Sequence, residues 1–258
     1  AREAQREGRP AVERSRKIMK KMRGQGLTPN TRTYAALLEV YARAARAPGG
    51  RGMLTDAFKV LQEMRQNGVA ADTVVYTVLI TAHAMSGAAG AQRMFEGAMA
   101  VHDGFMVGVK GCEPDVTTYN ALITVASRSI IAKPPRGRGL EDGLVAYEML
   151  LKGGFAPDAA TVNALMLGAR GKEEVTLVLK IADEHNISPD AATISLAMKA
   201  APRDVDHTLA MLDKCPKGCI NARVYVTCMT QLTKNGAADK SLSLFEQAEK
   251  DGVKPNEH

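Results

Sequence analysis

The chain has 258 residues, 45% of them hydrophobic, yet no stretch of about eighteen consecutive apolar residues, which excludes a helical membrane span and allows one large core or a short solenoid. Its formal charge of +6 suggests nucleic acid until it is located: residues 1–30 hold nine Lys or Arg against three Glu, and the remainder is neutral, so phosphate attraction must come from where individual basic side chains sit. Cys112, Cys215, Cys219 and Cys228 lack paired C-x-x-C spacing and a companion histidine pair, which argues against a zinc site and a disulfide scaffold and leaves buried or free thiols.

Glu3, Glu7 and Glu13 interrupt the Arg-rich start, unlike the acid-poor pattern of a transit peptide, so the opening reads as that of a mature or truncated chain. Residues 11–29 put Val12, Ile18, Met19 and Met22 on one side of a basic helix that breaks at Gly24, Gly26 and Pro29. This resembles the second helix of a hairpin whose first helix is missing.

Next come Tyr34, Leu37, Leu38 and Tyr41 at helical spacing, then a second stripe of Ala57, Phe58, Leu61 and Met64, with a loop at residues 48–52 between them. Tyr76, Leu79 and Ile80 pair in the same way with Met94, Phe95, Ala98 and Met99, and extra residues follow before Pro114. Tyr119, Leu122 and Ile123 lead to a basic loop at residues 133–139, whose adjacent prolines forbid helix, and then to Leu144, Val145, Met149 and Leu150. Weaker first stripes follow: Val162, Leu165 and Met166 with Val175, Val178, Leu179 and Ala182, then Ile194, Ala197 and Met198 with Leu209, Met211 and Leu212. Tyr225, Met229 and Leu232 restore the pattern, answered by Leu242, Leu244, Phe245 and Ala248.

Each pair of stripes is one helical hairpin opened by an acidic or amide residue: Asn30, Asp72, Asp115, Asp158, Asp190, Asn221 and, at the start of an incomplete seventh, Asn256. The spacings are 42, 43, 43, 32, 31 and 35 residues. A half repeat (1–29) therefore precedes repeats 30–71, 72–114, 115–157, 158–189, 190–220 and 221–255. A lone hairpin leaves an apolar face in water and stacking buries it, so the expected fold is all-α, a single right-handed α-solenoid of stacked antiparallel helix hairpins.

The turns Gly26-Leu27-Thr28-Pro29-Asn30, Gly111-Cys112-Glu113-Pro114-Asp115, Gly154-Phe155-Ala156-Pro157-Asp158 and Gly252-Val253-Lys254-Pro255-Asn256, with the helix start Thr118-Tyr119-Asn120, resemble pentatricopeptide repeats over residues 11–256. The resemblance implies a P-class protein that binds single-stranded RNA in a mitochondrion or chloroplast, one base per repeat, with the first helix of each hairpin (helix A) lining the groove. It also implies that a base is read by the residue after the helix A tyrosine together with the residue opening the next repeat. Carried over, these pairs are Ala35/Asp72, Thr77/Asp115, Asn120/Asp158, Asn163/Asp190, Ser195/Asn221 and Val226/Asn256. By the family's code the four polar pairs from Thr77 to Asn221 imply a core 5′-G-U-U-A-3′. Val74 and Thr117 fall at the base-clamping position, where Arg32, Ala160, Ala192 and Arg223 stand in the other repeats. Arg43, Arg128, Arg203 and Lys234 fall at the phosphate position near the end of helix A, with Met85 and Gly171 in the remaining two.

The helix A tyrosines share their stripe with Leu or Met and read as core, not as base-stacking platforms, and the opening Asp residues are good helix caps whatever else they do. Asn120 and Asn163 are more telling, because Asn is a poor helix-interior residue. The histidines have no consistent partner carboxylate or cysteine, and the Gly-rich loops at residues 48–52 and 87–90 lack the context of a phosphate cradle. The sequence thus predicts no enzyme, no cofactor, no metal, no small-molecule substrate and no membrane insertion. Its expected partners are single-stranded or ribosomal RNA, with organellar ribosomal or RNA-processing proteins. The alternative is a structural subunit of an organellar ribonucleoprotein such as a mitochondrial or plastid ribosome, or a protein-binding scaffold.

Overall fold

Helix starts marked by Asp or Asn and helix ends marked by Gly recur along the chain, and they cut it into hairpins. In the computed structural model, which describes residues 8–46, 52–85, 91–128, 139–250 and 252–253, every regular element among the described residues is helical. The chain divides between Phe155 and Ala156 into two compact units, at the turn that separates repeats 115–157 and 158–189.

The first unit contains α1 (Gly8–Gly24), α2 (Thr31–Arg46), α3 (Met53–Gln66), α4 (Thr73–Met85), α5 (Ala91–Phe105), α6 (Val116–Arg128) and α7 (Gly139–Lys152). Each first helix packs on its hairpin partner, and α2 packs on α4 and α4 on α6, so these three form one layer, with α1 against α2. Tyr34, Leu38, Leu79, Ile80, Leu122 and Ile123 are buried in that layer. The tyrosines are core residues with polar tips. Arg23 Nη2 donates to Tyr34 Oη at 2.9 Å, and Arg65 Nη2 to Tyr76 Oη at 2.9 Å, each from the preceding repeat.

Extra length in repeat 72–114 lies after α5, and it is exposed over residues 107–111 but anchored at each end. Met106 is fully buried, and Cys112 Sγ donates to the carbonyl of Ala71 at 3.2 Å. The Phe105 ring stacks on Tyr76 with centroids 5.6 Å apart, and the Arg65 guanidinium lies over the Phe105 ring, 5.0 Å from its centroid. The loop residues 48–51, 86–90 and 133–138 lie outside the described residues.

The second unit contains α8 (Ala159–Gly168), α9 (Gly171–Glu184), α10 (Ala191–Ala200), α11 (Val205–Asp213), a 3-10 turn (Lys217–Cys219), α12 (Ala222–Lys234) and α13 (Ala238–Lys250). Here α8, α10 and α12 pack in succession, with α9, α11 and α13 against them. The weak stripes expected for α8 and α10 are nonetheless buried: Val162, Leu165, Met166, Ile194, Ala197 and Met198 are all at or below 1% exposure.

Several helix ends share one device. After α7, Gly154 takes φ +78°, its N–H bonding to Leu151 O at 2.9 Å and that of Phe155 to Leu150 O at 3.2 Å. After α9 the same closure is made by Asn186 at φ +55°, with Asn186 N donating to Asp183 O at 3.0 Å and Ile187 N to Ala182 O at 2.8 Å. Asn is the side chain besides Gly that most readily adopts this left-handed geometry, so the turn survives the loss of its glycine.

Some residues assigned to stripes are on the surface. Ile18 is 68% exposed and Val145 and Leu242 are more than half exposed, whereas Val12 and Met19, seven residues apart, and Leu244 and Ala248, four apart, are buried. Neighbouring positions on a helix point about 100° apart, so where a helix buries only a narrow stripe, as α1 does, one of two adjacent apolar residues is left outside it.

Candidate nucleic-acid interface

All six first helices begin on a side chain that caps them. The amides of Thr33, Val75, Thr118, Thr161, Thr193 and Val224 donate to Oδ1 of Asn30, Asp72, Asp115, Asp158, Asp190 and Asn221, at 2.7–3.2 Å. Where the third helical residue is Thr, its hydroxyl accepts from the opening residue's own amide, as at Asp158 and Asp190, closing a reciprocal box. The helix-start hydroxyls also tie repeats together: Thr31 Oγ1 donates to Ala70 O at 3.2 Å and Thr73 Oγ1 to Glu113 O at 3.0 Å.

The pairs implied by the resemblance fall into different classes once built. Asn163 on α8 donates from Nδ2 to both carboxylate oxygens of Asp190, at 3.3 and 3.4 Å, and Thr193 Oγ1 donates to Asn163 Oδ1 at 2.7 Å. Burial alone would raise the Asp190 pKa, but hydrogen bonds from the Thr193 amide and hydroxyl and from Asn163 outweigh it and hold the carboxyl below its ordinary value. Thr77 on α4 and Asp115 are joined indirectly. Thr77 Oγ1 lies 2.9 Å from Thr118 Oγ1, which itself lies 2.9 Å from Asp115 Oδ1.

Asn120 is half-buried on α6 of the first unit, and Asp158 is exposed at the start of α8 in the second. Ser195 differs from the other polar members. It is 1% exposed, and its hydroxyl donates to the carbonyl of Ala191 in its own helix at 2.7 Å; no described hydrogen bond joins it to Asn221. Ala35 offers Asp72 no polar atom, and Asn256, the partner assigned to Val226, lies outside the described residues.

Val74 is 57% exposed one residue inside α4, and Thr117 is exposed at the same place in α6, both ahead of the buried stripe. Arg43, Arg128 and Lys234 are exposed near the ends of α2, α6 and α12. Arg43 forms a surface pair with Glu39 at 2.7 Å, one turn away. Arg203 lies in the turn beyond α10, not within the helix: α10 stops at Ala200 because Pro202 disfavours helical geometry at Ala201, which sits at φ −123° and ψ 68°. Gly171 opens α9 instead of closing α8, and the side chain of Met85 lies outside the described residues.

On α12 one open concavity of about 440 Å³ is lined by Val226, Met229, Thr230, Thr233 and Lys234. It therefore places a reader position and a basic position on one surface. Among the described residues no group of three or more His, Cys, Asp or Glu is arranged to hold a metal ion, and no helix is long and apolar enough to cross a membrane.

Sequence reading missed Thr118 and Thr193 as the links between reader and aspartate. Their signal was present as Asp-x-x-Thr, which recurs at Asp115, Asp158 and Asp190 and with Asn30 in its place at the first repeat.

Stacked two-helix repeats, each opened by a capping Asp or Asn and led by an inward tyrosine or aliphatic stripe, define an all-α helical-repeat solenoid protein. The chain belongs to the pentatricopeptide repeat family: the pentatricopeptide repeat domain matches residues 12–44 and 59–128, and the PPR repeat matches residues 223–253. Among solved structures it is similar to the pentatricopeptide repeat protein PPR10 in complex with an 18-nucleotide psaJ RNA element, at 28% identity and TM-score 0.57 over 90% of this chain and 30% of that one. A cysteine-to-serine variant of that complex gives the same values. PPR10 from maize is similar at 26% identity and TM-score 0.65, over 98% of this chain and 34% of that one. The chain thus spans about a third of the length of the solved structures it matches. No curated protein matches it.

Proposed function

We propose that this chain is the single-stranded RNA-binding part of a non-catalytic pentatricopeptide repeat protein of organelle gene expression, acting in a mitochondrion or chloroplast on RNA stability, processing or translation. The observation that carries the reading is the hydrogen-bonded union of a helix A polar residue with the aspartate opening the next repeat, Asn163 with Asp190. Two side chains from different repeats held together at the start of adjacent helices form a unit of the size of one base edge, and Thr77 with Asp115 forms a second. In this reading Thr77/Asp115 takes guanine, while Asn120/Asp158 and Asn163/Asp190 take uracil. Ser195/Asn221 is the weakest reader, because its hydroxyl is turned into its own helix. Val74 and Thr117 flank the bases, and Arg43, Arg128, Arg203 and Lys234 meet phosphates.

The test is binding to a short single-stranded RNA containing GUUA against a scrambled RNA, across a salt titration, beside an Asn120→Ser, Asn163→Ser variant. The expected result is at least about tenfold discrimination, reduced in the variant, with a log–log salt slope of about −3 for four phosphate contacts to a single strand. Equal affinity for both RNAs overturns it.

Ser195's burial, and the absence of a polar reader at Ala35 and Val226, favour a second reading: a structural subunit of an organellar ribonucleoprotein, with ribosomal RNA and organellar proteins as neighbours. Co-sedimentation with ribosomal particles after a high-salt wash supports it, and a small RNase-sensitive particle excludes it.

A further inference from the structure

From the second repeat on, the third residue of each first helix varies together with the reader of the repeat before it; Thr33 of the first repeat caps in the same way with no reader before it. The third residue is Thr118, Thr161 and Thr193 where the preceding reader is Thr77, Asn120 and Asn163; it is Val75 and Val224 where the preceding reader is Ala35 or the inward-turned Ser195. Capping alone does not explain this split, since Val75 and Val224 supply the capped amide as well as the threonines do.

Within each threonine network the hydrogen positions follow from what each atom can do. Thr118 Oγ1 stands 2.9 Å from a carboxylate oxygen that can only accept, so its proton goes to Asp115 Oδ1. The 2.9 Å contact with Thr77 must then be bridged by the Thr77 proton, which leaves a lone pair of Thr77 Oγ1 facing outward. Asp115 Oδ2 makes no hydrogen bond among the described residues. That site presents two acceptors.

At the second network the Asn163 amide must turn its NH2 toward the Asp190 carboxylate, because its oxygen there would face a like charge. Asn163 Oδ1 then lies 2.7 Å from Thr193 Oγ1, and the only proton able to bridge them is the threonine's, so the longer 3.0 Å contact of the same hydroxyl with Asp190 Oδ1 is the weaker branch of one shared proton. Asn163 keeps one N–H free beside an Asp190 oxygen that can still accept. That site presents a donor next to an acceptor.

We propose that Thr118 and Thr193 are specificity-determining positioning residues, whose hydroxyls couple reader to aspartate and set the pair's polarity: two acceptors at Thr77/Asp115, a donor beside an acceptor at Asn163/Asp190. Two acceptors match guanine, the base whose pairing edge carries adjacent N1–H and N2–H donors. A donor beside an acceptor no longer meets both of those donors; it fits an edge that pairs an acceptor with an N–H, as uracil's O4 and N3–H do, so guanine loses its advantage there. This rests on the RNA-binding reading above and adds a third residue to each reading unit.

The experiment measures the chain's affinity for single-stranded RNAs that differ only in the base at each of the two sites. It compares the unaltered protein with Thr118→Val, Thr118→Ser, Thr193→Val and Thr193→Ser, monitoring helicity throughout. Expected is a guanine preference of about tenfold at the first site, reduced to about twofold or less in Thr118→Val, restored in Thr118→Ser, and unchanged at the second site. Thr193→Val relaxes the second site alone. A purely structural role lowers melting temperature and the affinity for every RNA together while leaving base preference intact, and that result overturns the inference. If the unaltered protein shows no base preference, the RNA-reading function fails and the inference with it. A gain-of-function arm avoids any dependence on destabilised variants: Ala35→Thr with Val75→Thr creates a guanine preference opposite Asp72, and Ala35→Thr alone does not. Equal preference in the single and double variants rejects the coupling.

Discussion

In the first unit the apolar layer is built from large side chains with polar tips: Tyr34, Tyr41 and Tyr76 are buried, and their hydroxyls accept from Arg23, Arg16 and Arg65. In the second, α8 and α10 are ten residues each, with no aromatic side chain, and Ala164 and Ala197 sit among Leu165, Met166, Ile194 and Met198. The layer is as well buried in both. A stacked hairpin has to fill only the space against its neighbours, so bulk can be traded for short helices and close approach provided the caps and turns survive.

The most severe test of that equivalence removes volume from each layer. Leu79→Ala in α4 and Leu165→Ala in α8, both fully buried, are expected to cost about 2–5 kcal/mol each in urea unfolding; a cost below 1 kcal/mol at either would show that its layer is loosely packed. Acid tests the first unit next. Burial lowers the pKa of His83, on α4, from 6.5 to about 4, so its contribution is complete above pH 6.5 and is lost as the pH falls toward 4. The loss amounts to about 3 kcal/mol, because the unfolded chain takes up the proton first. A His83→Gln variant should show a flatter pH profile over that interval by thermal melting, and an identical profile would count against the assignment.

Third in size is a pair of substitutions in one helix. A Cβ at Gly97 of α5 would sit 2.5 Å from His83 Cε1, whereas one at Gly104 meets nothing within 4 Å. Gly97→Ala is therefore expected to destabilise by about 1–3 kcal/mol, and Gly104→Ala to stabilise by up to about 1 kcal/mol, both read from denaturant midpoints. The smallest effect belongs to the second unit's substitute turn: Asn186→Ala should cost about 1 kcal/mol at φ +55°, while Asn186→Gly is neutral or slightly stabilising.

Much of this architecture could be read from the residues in order. The opening Asp and Asn positions mark every first helix, because the same oxygen that signals a start in sequence accepts the orphan amide in space. The tyrosines were legible as core from their spacing with Leu. Periodicity could not rank adjacent aliphatics, so Ile18 was assigned inward beside Met19 although only Met19 is buried. Nor could it tell which way a small hydroxyl turns. Ser195 has a backbone carbonyl one turn back within reach, and that local bond takes the hydroxyl. The position of Arg203 depended on where α10 stops, which a proline two residues past its end decides. The links through Thr118 and Thr193 span separate repeats: Asp-x-x-Thr marks the threonine within one repeat but not the reader it bonds in the repeat before.

The residue that opens each first helix is held to a short alphabet by the backbone itself. Asp, Asn, Ser and Thr satisfy the amide two or three positions on, and an aliphatic side chain there forfeits about 1 kcal/mol before any partner is considered. Six such positions in a row are spelled here with Asp and Asn alone. Anyone rewriting them can choose only among letters that also know how to begin a helix, so the vocabulary available to this array is smaller than the twenty residues suggest, and a protein engineer should vary the partner residue on the preceding helix first.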